Sequence, residues 1–150
     1  MIALAIVPGV VDGQGAASLA ATAPLAEAVA RLAASPGEAL AVVADDGRLM
    51  GLIGAAEVVA RLAVAGAAAL ALPAAAAARP ADDWLMPDDA ALDALELMRL
   101  RGVEHLAVLE ADGRLAGIVS HGRLCRLLHR AYDALTDAEH RALFGVEPGP

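Results

Sequence analysis

Asp45-Asp46-Gly47-Arg48-Leu49-Met50-Gly51 and Ala111-Asp112-Gly113-Arg114-Leu115-Ala116-Gly117 are near-copies set 66 residues apart. Each Asp-Gly pair sits between two short apolar runs, which is a strong local signal for a β-hairpin. In the first copy the runs are Leu40 to Val43 and Leu49 to Ile53; in the second they are Leu106 to Leu109 and Leu115 to Val119. All four runs are almost wholly apolar, so these strands are expected to be covered on both faces. Extending the same offset over positions 19–62 gives 12 identities in 44 positions, among them Leu19/Leu85, Ala28/Ala94, Glu38/Glu104, Val42/Val108 and Leu62/Leu128. Repetition over this length reads as two copies of one supersecondary unit.

Around each hairpin the same elements recur. A short strand comes first, at about 17–20 and 83–86. Pro24 suits a first helical position, and Asp88 or Asp89 suits an N-cap. A helix follows, with Leu92, Leu95 and Met98 near helical spacing in the second copy. Pro36-Gly37 and Gly102 close these helices. A last helix completes each copy, over about 55–64 and 121–131. The expected order is β-α-β-β-α, twice. Ala65 to Asp82 is an Ala-rich linker broken by Pro73 and Pro80. Thr136-Asp137-Ala138-Glu139 has capping-box spacing and opens a tail helix that Gly145 ends.

The organisation expected is an apolar arm at 1–16, a first repeat at 17–64, a linker at 65–82, a second repeat at 83–131 and a tail at 132–150. The fold class is α+β. The chain has 150 residues, enough for a buried core without a disulfide or metal. Its hydrophobic share is 59%, but 40 residues are alanine, so Leu and Val supply most of the burial energy.

Charge narrows the function. The net charge is −8, and all 11 basic residues are Arg. Without Lys there is no P-loop, no Schiff-base chemistry and no lysine phosphate clamp. An acidic chain without a basic stripe is not expected to bind nucleic acid. The first 30 residues hold no Arg or Lys, so Met1 to Val11 lacks the basic segment of a signal peptide. The 17 uncharged residues from Leu62 to Ala78 are broken by Gly66 and Pro73 and make a poor membrane span. A cytoplasmic protein without membrane association is expected.

The stretch Ala94 to Leu109, containing Gly102-Val103-Glu104-His105-Leu106-Ala107-Val108, followed by Asp112-Gly113-Arg114-Leu115-Ala116-Gly117-Ile118-Val119-Ser120, resembles a CBS domain. The segment from Leu25 to Leu62 resembles a second one. Together they resemble a stand-alone tandem CBS pair, or Bateman module. The resemblance implies two repeats packed about a pseudo-two-fold axis, with clefts between them that take AMP, ADP, ATP or S-adenosylmethionine. No obligatory cofactor is implied. The implied role is non-enzymatic: a homodimeric module that senses a ligand and signals to a separate effector protein. The alternative is a ligand-free structural or dimerisation module with degenerate motifs.

The family's ligand run is Gly-apolar-apolar-Thr/Ser-x-x-Asp. Its hydroxyl and helix amides face phosphate and its carboxylate takes the ribose diol. Both copies depart from it. Gly51-Leu52-Ile53-Gly54-Ala55-Ala56-Glu57 lacks the hydroxyl and has Glu for Asp. Gly117-Ile118-Val119-Ser120-His121-Gly122-Arg123 keeps the hydroxyl and replaces the acid with Arg, which accepts nothing from a ribose but pairs with phosphate. Arg123, Arg126 and Arg130 make this last helix locally basic, so the second cleft is the better candidate for an anion. Each residue also has a plainer reading. Glu57 suits an exposed first turn, and Ser120 an N-cap. The implied nucleotide-binding residues are Ser120, His121, Arg123, His105, Val103, Glu57 and Met86, with no catalytic or metal-binding residue.

His121, Cys125 and His129 stand at i, i+4 and i+8, which is too long a rise for one ion; Cys125 aligns with Val59 and is expected in the core. Trp84 either covers a ligand's base or seals the boundary between the repeats. Asp82-Asp83 and Asp88-Asp89 read as turn and cap chemistry.

Overall fold

The computed structural model describes residues 18–145. The apolar arm read at 1–16 lies outside them. The first repeat runs β1 (Ser18–Ala20), α1 (Leu25–Ala34), β2 (Leu40–Val43), β3 (Leu49–Ile53) and α2 (Ala55–Ala65). Two short 3-10 turns, Gly66–Ala71 and Ala74–Ala76, lead to β4 (Arg79–Pro80). The second repeat runs β5 (Trp84–Leu85), α3 (Ala91–Arg101), β6 (His105–Leu109), β7 (Leu115–Ser120) and α4 (His121–Asp133); α5 (Asp137–Phe144) follows.

The two sheets are built alike. β1 lies parallel to β2 and β2 antiparallel to β3; β5 lies parallel to β6 and β6 antiparallel to β7. The linker strand β4 adds to the first sheet beside β3, an element the sequence did not signal. Both hairpins turn the same way. Gly47 N–H donates to the Ala44 carbonyl at 2.9 Å, and Gly113 N–H to the Glu110 carbonyl at 2.9 Å. Asp46 Oδ1 accepts from Arg48 N–H, and Asp112 Oδ1 from Arg114 N–H, each at 3.0 Å. The glycines take φ of 82° and 86°, the left-handed region that closes this loop without a Cβ clash.

Strand periodicity explains why both faces of the hairpins are apolar. Leu40, Val42 and Ile53 face the helices of their own repeat, with Leu25, Ala28 and Val58. Their counterparts in the second repeat are Leu106, Val108 and Val119, packed with Ala91, Ala94 and Leu124. Sizes shift between the copies: Leu25 becomes Ala91, and Val58 becomes the larger Leu124, which makes up part of the difference. The alternate strand residues Ala41, Leu52, Ala107 and Ile118, with Ala39 just before β2, form a third cluster that joins the repeats. Ala41 and Ala107 are fully buried there, and their small side chains let the two sheets approach closely. The repeats share one inter-sheet core, so neither is an independent bead.

Three local expectations change. Pro24 is the N-cap residue of α1, with an extended ψ of 147°, and the helix begins at Leu25. Ala90, not an aspartate, stands at the N-cap of α3. Asp89 is used earlier, accepting from Met86 N–H at 2.8 Å, so its carboxylate closes the turn instead of the helix. Cys125 is exposed, because α4 buries the Leu124 face and position 125 points away from it. Its counterpart Val59 is also 65% exposed, so the alignment between copies held and the inference of burial did not.

Candidate functional site

A hollow of about 300 Å³ lies where the repeats meet. One wall is the β3–α2 junction, with Leu52, Gly54, Ala55, Ala56 and Glu57; another is the α3–β6 loop, with Gly102, Val103, Glu104 and His105. Gly37, Glu38, Ala39 and the linker residue Arg79 complete it. The junction takes this shape because β3 ends and α2 begins within two residues, presenting the start of a helix to the opposite repeat.

Glu57 is the best-defined polar group here. Its Oε2 accepts from Gly54 N–H at 2.8 Å, so it reaches back to the N-cap residue of its own helix. Its Oε1 lies 3.4 Å from Arg79 Nε. The same guanidinium reaches over the boundary: Arg79 Nη2 donates to the His105 carbonyl at 3.0 Å. A carboxylate has about four lone-pair sites, so these two contacts orient Glu57 and leave acceptor capacity for a ligand. His105 Nε2 lies 2.8 Å from the Gly37 carbonyl oxygen. A carbonyl only accepts, so Nε2 carries the proton and ties the second repeat to the first.

Arg79 depends on β4, and β4 lies close against β3. A Cβ placed on Gly51 would come within 2.3 Å of the Arg79 carbonyl oxygen, so glycine at this motif position allows the linker strand to seat.

The pseudo-equivalent residues of the second repeat are engaged differently. Ser120 Oγ accepts from Arg123 N–H at 3.2 Å and is the N-cap of α4. Arg123 Nη2 pairs with Glu38 Oε1 at 2.7 Å, joining residues 85 positions apart across the repeats. Of the residues singled out in the sequence, Glu57, Val103 and His105 line the hollow; Ser120, His121, Arg123 and Met86 do not. Met86 is half-buried beside the Asp89 turn. Trp84 is 51% exposed and belongs neither to the hollow nor to the inter-repeat cluster. His121 and Cys125 are neighbours on α4, with Nδ1 and Sγ 3.8 Å apart. Among the described residues, no group of three His, Cys, Asp or Glu side chains gathers as a metal site, and no helix is long and apolar enough to cross a membrane.

Sequence reasoning missed Arg79, Glu38 and Glu104. Arg79 is the first charge after 17 uncharged residues, and Glu38/Glu104 is an identity of the internal repeat; both signals were visible without pointing to a site.

Residues 84–130 match the family model of the CBS domain. Solved structures match across both repeats. The CBS-domain containing protein ATU1752 from Agrobacterium tumefaciens is 25% identical with a TM-score of 0.69, over 78% of this chain and 91% of that one. The CBS domain protein PAE2072 from Pyrobaculum aerophilum, complexed with AMP, is 24% identical with a TM-score of 0.67, over 78% and 91% of the two chains. The CBS domain pair of protein MJ0100, in complex with 5′-methylthioadenosine and S-adenosyl-L-methionine, is 16% identical with a TM-score of 0.70, over 81% and 94%. No curated protein matches the chain in sequence. Residues 84–130 are therefore a CBS domain, and the chain has the fold of a tandem CBS pair.

Proposed function

We propose that the chain is a regulatory ligand-sensing module that takes an adenosine-bearing compound in the hollow between its repeats. The observation that carries this is the hollow itself, about 300 Å³ with the oriented carboxylate of Glu57 at the start of α2. That volume is at the lower end of small-molecule sites. Glu57 accepts from the two ribose hydroxyls, and Val103 and His105 border the rest of the ligand. The AMP complex of PAE2072 and the 5′-methylthioadenosine and S-adenosyl-L-methionine complex of MJ0100, pairs of the same fold, support this choice of ligand class.

The module works as a homodimer and conveys its occupancy to a separate effector protein. The outward face of α2 supports the dimer, since Val59 and Val64 are 65% and 82% exposed. Ligand contacts both repeats at once, so binding biases their packing, and that packing is what a partner reads.

A second reading, a ligand-free structural module, is favoured by the second repeat alone, where Ser120 and Arg123 are already engaged within the chain. Isothermal titration with adenosine, AMP, ADP, ATP, S-adenosylmethionine and cyclic dinucleotides separates the two. Heat from an adenosine-bearing compound, lost in Glu57→Ala, supports the sensor. No heat from any compound at millimolar concentration overturns it in favour of the structural module.

A further inference from the structure

The hollow has an unusual charge balance for a place that would hold a nucleotide. Glu38, Glu57 and Glu104 line it, and among the described residues Arg79 is the only Arg or Lys that does. Arg79 is already shared between Glu57, at 3.4 Å, and the His105 carbonyl, at 3.0 Å. Arg123, which reaches the lining residue Glu38, pairs with it at 2.7 Å. The ring N–H of His105 is directed to the Gly37 carbonyl. The chain has no Lys to substitute for any of these.

The helix start already carries a negative charge of the protein's own. The Glu57 carboxylate accepts the Gly54 N–H and so lies against the N-terminus of α2, where an anion is favoured. Gly54 stands where a hydroxyl would reach a phosphate and has no side chain to offer. Glu104 is exposed and has no ion-pair partner among the described residues, leaving a whole negative charge at the rim. A phosphate entering here meets that charge, and the one lining guanidinium among the described residues, Arg79, is already paired.

We infer that this hollow discriminates by charge, taking an adenosine derivative with a neutral or cationic 5′ substituent and disfavouring phosphorylated ones. The inference rests on the hollow being an adenosyl site and narrows which adenosyl compounds enter it. Glu104 is the specificity determinant, since Glu38 and Glu57 each have an arginine partner.

The test is calorimetric titration of the full chain, at low and at physiological salt, with adenosine, 5′-methylthioadenosine, S-adenosylmethionine, AMP and ATP. Amide shifts of Gly54 and Val103 locate binding in this hollow, and those of Ser120 report the other side. Adenosine and its phosphate-free derivatives are expected to bind about tenfold more tightly than AMP, with the gap narrowing as salt rises. Glu104→Gln is expected to narrow the gap and Glu104→Arg to reverse it; circular dichroism verifies that these exposed substitutions leave the fold intact. AMP or ATP binding in this hollow as tightly as adenosine, or a ratio unchanged in Glu104→Arg, overturns charge discrimination while leaving the adenosyl site standing. Failure of every compound to bind overturns both.

Discussion

Replacing Gly51 with Ala should both destabilise the protein and disturb its hollow, because the two are linked through one close backbone approach. A Cβ at position 51 would lie 2.3 Å from the Arg79 carbonyl oxygen and 3.0 Å from the Arg79 carbonyl carbon. Neither atom belongs to a flexible side chain, so β4 itself must retreat by roughly 1 Å, and overpacking of this kind costs roughly 1–3 kcal/mol. For a chain of this size that corresponds to a Tm lower by roughly 3–10 °C. Urea unfolding gives the free energy, and hydrogen exchange at Leu52 and Arg79, which face each other across β3 and β4, shows where the loss falls. Gly122→Ala is the matched control. A Cβ there meets only Arg126 Nη1, at an ordinary 3.6 Å. Inside α4 that substitution should be stabilising by roughly 0.5–1 kcal/mol. An unfolding free energy for Gly51→Ala within about 0.5 kcal/mol of the parent would refute the close approach, and with it the account of how Arg79 reaches Glu57.

Three further outcomes are expected. Met98→Ala removes a side chain that is 1% exposed at the centre of the second repeat's core, and should cost roughly 2–5 kcal/mol in urea unfolding; a loss below about 1 kcal/mol would mean that the core collapses around the gap. A double-mutant cycle on Glu38→Ala and Arg123→Ala should give a coupling of roughly 0.5–1 kcal/mol, modest because both side chains are partly exposed; zero coupling would remove that pair as a link between the repeats. Hydrogen bonds from the Arg99 guanidinium, and secondarily its charge, hold the Glu96 carboxyl below its ordinary range. The folded value is depressed, so the pair's stabilising contribution is present above the unfolded-state carboxylate range and disappears as pH falls through the folded value. A carbon-detected NMR titration should show Glu96 returning to an ordinary value in Arg99→Ala; an identical curve in that variant would contradict the assignment.

The internal repeat was legible because its signals are local. An Asp-Gly turn between apolar runs specifies a hairpin wherever it occurs, and finding it twice at one offset specifies two hairpins. The same offset predicts the core correctly, pairing Leu19 with Leu85, Leu40 with Leu106 and Val42 with Val108. Caps were less legible. Asp88 and Asp89 are adjacent carboxylates just before a helix, and only the folded chain shows Asp89 committed to Met86 N–H and the helix opening without a side-chain cap. Cys125 shows another limit: a residue's counterpart in the other copy says that the two share an environment, not which environment it is.

The hollow depended on contacts that residue types do not announce. The basic run of α4 drew attention to the second repeat's helix start, yet Arg123 crosses to Glu38, and the hollow that the structure describes opens beside Glu57. Which carboxylate meets which guanidinium is settled by distances between residues tens of positions apart, and pattern along the chain carries no such distances.

Periodicity, turn chemistry and internal repetition, all encoded within short windows, dictated two β-α-β-β-α units and the residues each buries. Packing of one unit on the other decided the rest: that Ala41 and Ala107 meet between the sheets, that Arg79 spans both repeats, and that Glu104 lines the hollow with no ion-pair partner among the described residues. The reason is physical. Local preference acts between near neighbours in the chain, whereas a cleft and its electrostatic field exist only once distant surfaces are brought together.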